Sequence, residues 1–576
     1  MKLKKVLFAF SVCSMVSIFA SCKKEVAPLN DGIYSGSAAG RNGDISVSVK
    51  ITDGKVADAS ILSDSETPEI AEPAKESIIR SFIKEGSTEG IDIVSGATLT
   101  SNAIIAALND ALDESRGKKK PDVTFSDCEC DIVIVGAGGA GLVAATEAAS
   151  KGAKVIVLEK MGIVGGNSNS STGGINASYT KEQERLGITD SPEIFYKDTM
   201  KGGYYMNDPK LVRTLVDNSA AIVEWLQSDL VGADLSDVGI FGGATNKRIH
   251  RPLGGQAIGI HLVPLLHKAA KRQNADIRLN NKVIDVLSEN GKACGVRVAT
   301  KYGEYTVKAK AVIIATGGFG ANPDMVNFYN PALKGFGTTN HKGATGDAFE
   351  MLKKFDAALV LMEQIQTHPT VVPGSGVMLT EAVRGNGAIL ISRTGKRFVN
   401  EMENRDIVSE KILEEPGKTA FLVFDQGVRD SLKVIESYSK QGLLTTGITI
   451  DELAEKLQIP AKEFEATVVE YNQFVRNQND EAYGRNPASM ERELSLPPFY
   501  AVECGPAIHH TMGGLKITPD AEVLNKNDEV IPCLFAAGEV TGGVHGGNRL
   551  GGNAVADFCI FGKIAADSAL KAIGKQ

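Results

Sequence analysis

Apolar and polar positions along the chain change period several times, and each change marks a different kind of element. Residues 6–20 form a continuous apolar run, preceded by Lys2, Lys4 and Lys5 and followed by Ala20, Ser21 and Cys22. That is the layout of an export signal: charged start, apolar stretch, small residues at a cleavage site. The run falls short of the roughly 20 apolar residues that span a bilayer. Further on, Ile45, Val47, Val49 and Ile51 alternate with polar neighbours and Asp53-Gly54 supplies a turn. Ala57, Ala59 and Ile61 then resume the alternation, which predicts a β-hairpin. Ile104, Leu108 and Leu112 recur every four residues and predict a helix starting just after Ser101. Residues 30–115 thus read as a small α+β unit, and the polar 116-RGKKKPD-122 opens a linker over 116–129.

From Asp131 the pattern becomes strand, glycine turn, helix, strand: DIVIV, GAGGAG, LVAATEAASKG, AKVIVLEK. Such a βαβ unit predicts an α/β domain with a parallel sheet. Strand-like runs return at 310-KAVIIATGG-318 and at 531-IPCLFAAGE-539. Strands this scattered require an inserted domain, placed at 363–507, where 451–457 and 461–475 are amphipathic helical stretches. The larger domain is then built from 130–362 and 508–576.

Composition narrows the class. At 576 residues the chain is too long for one core. The formal net charge of −8 provides no basic field for nucleic acid. Of eight cysteines, Cys13 lies inside the apolar run and Cys22 follows the small pair, where a lipoprotein signal carries its lipid-bearing residue. Phe19 departs from the aliphatic residue usual there, so an ordinary secretory signal stays open beside a lipid anchor on Cys22. Cys128 and Cys130 form no recognised metal or redox spacing, and no metal site is expected. The absence of a C-x-x-C-H run excludes covalent c-type haem.

Gly136-x-Gly138-x-x-Gly141 follows an apolar strand, opens a helix and precedes Glu159 at the end of the next strand. Those contexts define a dinucleotide fingerprint: the glycines let backbone N–H groups approach a pyrophosphate at a helix N-terminus, and Glu159 is placed for a ribose. The competing reading is a structural glycine turn. Further glycine loops at 165-GGNSNSSTGGINA-177, 315-ATGGFG-320, 343-GATGD-347 and 538-GEVTGGVHGGNRLGGNA-554 suit a long, buried FAD rather than a nicotinamide cofactor.

Carried by 366-QTHPT-370, 378-MLTEAVRGNGAIL-390, 397-RFVNE-401, 404-NRD-406, 509-HHTMGG-514 and 545-HGGNRLGGNA-554, the stretch from about residue 130 onward resembles the soluble fumarate reductase flavoproteins. These are relatives of the succinate dehydrogenase flavoprotein subunit. The resemblance implies a Rossmann-like FAD-binding domain and an inserted α+β clamp domain closing over the substrate. It implies that Arg549 and His509 hold one carboxylate of a dicarboxylate, with Arg405 near it, and that His368 and Thr380 hold the other. Arg405 would be the proton donor, reprotonated through Glu381 and Arg384, whose three-residue spacing suits one helical face. A purely structural buried ion network is the alternative for these three. For non-covalent FAD the resemblance implies contacts from Ala140, Glu159, Asn167, Ser168, Gly174, Asp347, His510, Glu539 and Ala554. No role falls to His250, His261, His267 or His341, and none is assigned to His545.

The stretch 92-DIVSGAT-98 resembles the signature of FMN-binding domains, in which a flavin transferase joins FMN to the last threonine by a phosphoester. Here that residue is Thr98, and residues 30–115 would be an FMN-binding domain. A simpler role for Thr98 or Thr100 is to cap the following helix. With no haem motif, FMN would take electrons from a membrane quinol-linked donor and pass them to FAD. The expected activity is reduction of fumarate to succinate outside the cytoplasmic membrane. Another enoate (urocanate, methacrylate, cinnamate) is the alternative substrate, and a two-flavin electron carrier or an oxidase are alternative classes.

Overall fold

In the computed structural model of the protein the described residues are 27–40, 43–64, 66, 68–94, 97–118 and 126–575. The export signal with Cys22, residues Ser95 and Gly96 of DIVSGAT, and residues 119–125 of the linker lie outside them.

The alternation between residues 45 and 61 produces strands Asp44–Thr52 and Lys55–Ser63, which with Gly32–Ala39 make a three-stranded antiparallel sheet. Asp53 and Gly54 sit at φ 52° and 68°, the left-handed pair that a two-residue hairpin turn requires. Ile45, Val47, Val49 and Ile51 all face the core. The second strand departs from the simple alternation. Lys50 pairs with Asp58 while Ile51 pairs with Val56, so Ala57 is an extra residue at a bulge. Ala57 therefore faces solvent and Val56 packs inward in its place. Helices Pro68–Glu85 and Thr98–Ser115 cover the sheet and contribute Ile78, Phe82, Ile104, Leu108 and Leu112 to the same core. The second helix begins at Thr98, three residues before the end of the 95–101 stretch that the periodicity placed ahead of it.

The largest sheet has eight strands. Its order runs Lys282–Glu289, Lys292–Thr300, Gly303–Ile314, Cys128–Val135, Val155–Leu158, Asp276–Arg278. Val530–Ala536 pairs in parallel with the far end of Gly303–Ile314, and Glu522–Leu524 pairs with it in turn. The strands around Cys128–Val135 are parallel and buried on both faces, which explains their unbroken apolar runs. Helices Gly139–Ser150 and Asn553–Ala572 pack together on this sheet, from opposite ends of the chain.

A five-stranded sheet combines Ile365–Val371, Phe499–Thr511, Ala420–Asp425, Ile389–Ile391 and Thr445–Gly447. It too is covered on both faces. Ile389, Ile391, Phe421 and Val423 pack against the helices Ile450–Leu457 and Ala461–Asn477, whereas Leu390, Leu422 and Phe424 face Val383, Val408 and Ile412. The 13-residue strand Phe499–Thr511 carries the chain from this sheet back toward the main body. Among the described residues no helix is long and apolar enough to cross a membrane.

Candidate active site

Where the Cys128–Val135 strand ends, close packing dictates glycine. A Cβ on Gly136 (φ +103°) would lie 2.4 Å from the Ala315 carbonyl oxygen, and one on Gly141 would lie 2.0 Å from the Gly136 carbonyl oxygen. At Gly138 the reason differs. A Cβ there would meet nothing nearer than 3.9 Å, so a side chain would project into open space in front of the Gly139–Ser150 helix. The Ser168 hydroxyl accepts from the Gly139 amide at 3.1 Å, and Glu159 accepts from the Ala137 and Met161 amides at 2.8 Å each. Burial raises the Glu159 carboxyl despite those amides. Asn167 donates to Asn340 (2.7 Å) and Glu539 (3.2 Å), and Asp347 is paired with Lys160 at 3.0 Å.

Gly136, Gly138, Ala140, Glu159, Asn167, Ser168, Gly174, Asp347, His510, Glu539 and Ala554 all line one cavity of about 1690 Å³. That exceeds the roughly 300–1,000 Å³ of ordinary small-molecule pockets. Its glycine cradle, backbone amides at a helix N-terminus and a buried His510 Nε2 without a protein partner fit an extended dinucleotide such as FAD. Gly141 lies off the cavity: it lets the helix close onto the turn.

The same cavity continues to Arg405, Glu381, His368, Thr380, His509 and Arg549. Adjacent strands supply the histidines. Gln366 pairs with His510 and Thr367 with Ile508, so His509 is the extra residue of a bulge, and its ring meets that of His368 at 5.1 Å. His368 Nδ1 accepts from the Thr370 amide at 3.3 Å, which places the proton of the neutral ring on Nε2. That Nε2 is buried without a protein acceptor, a donor left for a ligand. His509 Nδ1 is 2.8 Å from the Thr339 hydroxyl. Thr380 caps the short Glu381–Gly385 helix, and its amide donates to the Tyr438 hydroxyl at 3.0 Å.

Arg405 is the first residue of the helix Arg405–Glu414, so its charge adds to the positive end of the helix dipole. Its Nε donates to Glu381 at 2.9 Å and its Nη1 to the Gln366 side-chain oxygen at 3.3 Å. Glu381 also accepts from the Gly242 amide at 2.9 Å. Burial opposes the Glu381 charge, yet Arg405, Arg384 and these hydrogen bonds hold its carboxyl below the usual range. Arg384 stands behind Glu381 at 3.9 Å, away from the cavity, and donates to the Glu401 carbonyl at 2.5 Å. Arg549 is buried with Nε unpartnered; burial and the facing Arg405 charge push it down to about 9. Arg405 and Arg549 thus bring two like charges together in a desolvated space, an arrangement costly alone and relieved by an anionic ligand.

Gln366 was not singled out from the sequence, though it lies in the QTHPT run. Its Nε2 donates to Asn548 (2.6 Å) and to the Arg549 carbonyl (2.8 Å), so one amide side chain ties Arg405 to the Arg549 loop. Thr98 lies in the N-terminal unit and is not among the residues lining the cavity. The cap of its helix is Ala97 with no side-chain hydrogen bond, and Thr98 is exposed. Thr100 instead donates to Glu66. The capping role expected for either threonine is therefore absent.

Burial, with nearby arginine charges adding to it, depresses His368, His509 and His510 well below the ordinary histidine value. Each is neutral when folded but takes up a proton below pH 6.5 when unfolded, so stability falls as pH drops. The expected slope between pH 6 and 5 is up to about 1.4 kcal/mol per pH unit for each histidine. Denaturant unfolding across that window should show the loss, and His510→Asn should flatten it.

A dinucleotide cradle opening into a cation-lined reaction pocket defines a flavin-dependent oxidoreductase. Residues 131–555 match the FAD binding domain family, and residues 40–113 match the FMN-binding domain family. The chain is 47% identical over 443 residues to a fumarate reductase (cytochrome) of Shewanella frigidimarina, covering 77% of each. With the urocanate reductase of Eggerthella lenta it shares 35% identity over 560 residues, covering 93% of this chain and 92% of that one. The solved open conformation of a flavocytochrome c3 fumarate reductase superposes with a TM-score of 0.67 at 40% identity, covering 84% of this chain and 85% of that one. The protein belongs to the fumarate reductase family of FAD-dependent oxidoreductases, with an FMN-binding domain preceding the FAD-binding domain.

Proposed function

We propose that the protein reduces the C=C bond of fumarate to give succinate. The observation that carries this reading is the pocket itself: Arg405, Arg549 and the unpartnered Nε2–H of His368 line one cavity continuous with the dinucleotide cradle. Arg549, His509 and Arg405 would hold one carboxylate, the arginine fork matching two oxygens. His368 and Thr380 would hold the second. FAD, held by the cradle residues, supplies hydride chemistry when bound. As negative charge grows toward the first carboxylate, the two arginines stabilise it more than they stabilise the substrate, which is where rate enhancement arises. Arg405 would give the proton to the adjoining carbon. A guanidinium is a poor acid, but a carbanion is a far stronger base. Glu381, bonded to Arg405 Nε, and Arg384 behind it would restore the proton.

Thr98 would carry FMN by a phosphoester through its exposed hydroxyl, installed by a flavin transferase, the group supplying one-electron chemistry from a membrane quinol-linked donor. Export, with lipid on Cys22, would place the protein in the cell envelope. Support for two flavins comes from the two family matches.

The test is a panel of enoates offered to purified protein with reduced viologen as donor. Fumarate is expected to turn over at least tenfold faster than acrylate, methacrylate, cinnamate or urocanate, since losing one buried charge partner costs more than about 2 kcal/mol. The urocanate reductase relative makes urocanate the second reading, and faster turnover of urocanate than fumarate would decide for it.

A further inference from the structure

The helix that starts with Arg405 is fastened from outside its own domain. Tyr204 lies between helices Pro192–Gly202 and Pro209–Asp217, more than 150 residues before the inserted segment begins. Its hydroxyl donates to Asp406 at 2.5 Å and accepts from the Asn404 side-chain amide at 3.2 Å. Those are the two residues flanking Arg405: Asn404 occupies the N-cap position without a side-chain cap bond, and Asp406 lies in the first turn. Burial and the neighbouring Asp406 push the Tyr204 phenol up to about 12, so the donor stays protonated.

The other end of the strap is equally defined. The Gly203 carbonyl accepts from the Gly547 amide at 2.9 Å, and the Gly202 carbonyl from Asn548 Nδ2 at 3.0 Å. Asn207 and Asp208 bond to the Val544 and Gly543 carbonyls. The 202–208 loop is therefore stitched to the 543–548 run that leads into Arg549. Tyr204 and Tyr205 both adopt left-handed conformations, φ 58° and 59°, at a cost of about 1 kcal/mol or more apiece.

We propose that Tyr204 is a positioning residue for Arg405: its hydroxyl locks the first turn of the Arg405 helix to the loop carrying Arg549, setting the distance between the two arginines that face the substrate. Gln366 makes the corresponding tie in the buried interior, and Tyr204 makes it at the surface. The inference rests on the reading of Arg405 as proton donor. Because Tyr204 does not line the cavity, its loss impairs proton delivery more than carboxylate binding, which Arg549, His509, His368 and Thr380 also support.

The test uses FAD-loaded protein, wild type against Tyr204→Phe, which keeps the ring and removes the hydroxyl. Without substrate, amide hydrogen exchange over residues 404–409 is expected to rise several-fold while the Ile450–Leu457 and Ala461–Asn477 helices stay unchanged. With fumarate, kcat is expected to fall about tenfold, the worth of one hydrogen bond to a charged group. KM should change less than twofold, and the solvent deuterium effect on kcat should increase as proton delivery becomes limiting. Asp406→Ala, which removes the acceptor, should reproduce the pattern. Unchanged exchange at 404–409 overturns the proposal, as does a kcat within twofold of wild type. So does a uniform rise in exchange across the domain, which marks a merely structural role. If wild type itself fails to reduce fumarate, the functional reading falls, and the exchange measurement alone still decides the strap.

Discussion

Arg405→Ala is expected to lower kcat for fumarate by about 10,000-fold, the upper range for removing a positioned general acid. The size follows from geometry. Arg405 alone touches Glu381, Gln366 and the cavity at once. On the proposed reading, its removal takes away both the proton and half of the cationic field over one carboxylate. Arg405→Lys should recover less than a hundredth of the lost rate. A lysine ammonium cannot keep the Nε bond to Glu381 and the Nη1 bond to Gln366 together, since it offers one point charge rather than a planar fork. Flavin content should be retained, because the cradle residues lie on other segments. Folding stability should drop by a few kcal/mol, since Glu381 stays buried with only Arg384 at 3.9 Å and the Gly242 amide as partners. Steady-state kinetics with a viologen donor, alongside flavin absorbance, checks both halves. A variant that folds less well yet turns over normally would assign the Arg405–Glu381–Arg384 cluster to structure alone.

The second large effect is all-or-none. Wild-type protein coexpressed with a flavin transferase should gain the mass of one FMN, and Thr98→Ala should gain none. The exposed Thr98 opens its helix with a side chain not used for capping, so alanine there costs little stability. Viologen-driven fumarate reduction should therefore survive in Thr98→Ala, while turnover driven by a membrane quinol donor should fall to background. An unmodified wild-type mass after coexpression would end the tether. Loss of viologen-driven activity in the variant would show that residue 98 serves the reaction pocket instead.

Some of this arrangement was legible in residue order and some was not. The hairpin was readable because its register depends on neighbours a few residues apart and on the Asp53-Gly54 turn. Its bulge at Ala57 was not, since Val56 and Ala57 are both small apolar residues and only packing against the helices selects between them. The glycine turn was readable because backbone contact demands glycine at 136 and 141, and the neighbouring helix and strand announce themselves by pattern. Glu381 and Arg384 could be paired from their spacing. The bond from Arg405 to Glu381 spans 24 residues, and that from Gln366 to the Arg549 carbonyl spans 183. No periodicity reports such distances.

Short-range physics therefore settled which elements form, where a dinucleotide fingerprint lies, and which residues could bear anion-binding and proton-transfer chemistry. Steric demands of turns and the periods of helices and strands act between near neighbours, so they are written into local residue order. Tertiary structure alone decided that His509 swings onto His368 through a bulge, that Arg384 stands behind the cavity rather than in it, and that Tyr204 reaches the turn holding Arg405 from 202 residues away. Those outcomes depend on how separately formed sheets dock, because buried charges are placed by the sum of packing and hydrogen bonding across segments that only the folded chain brings together.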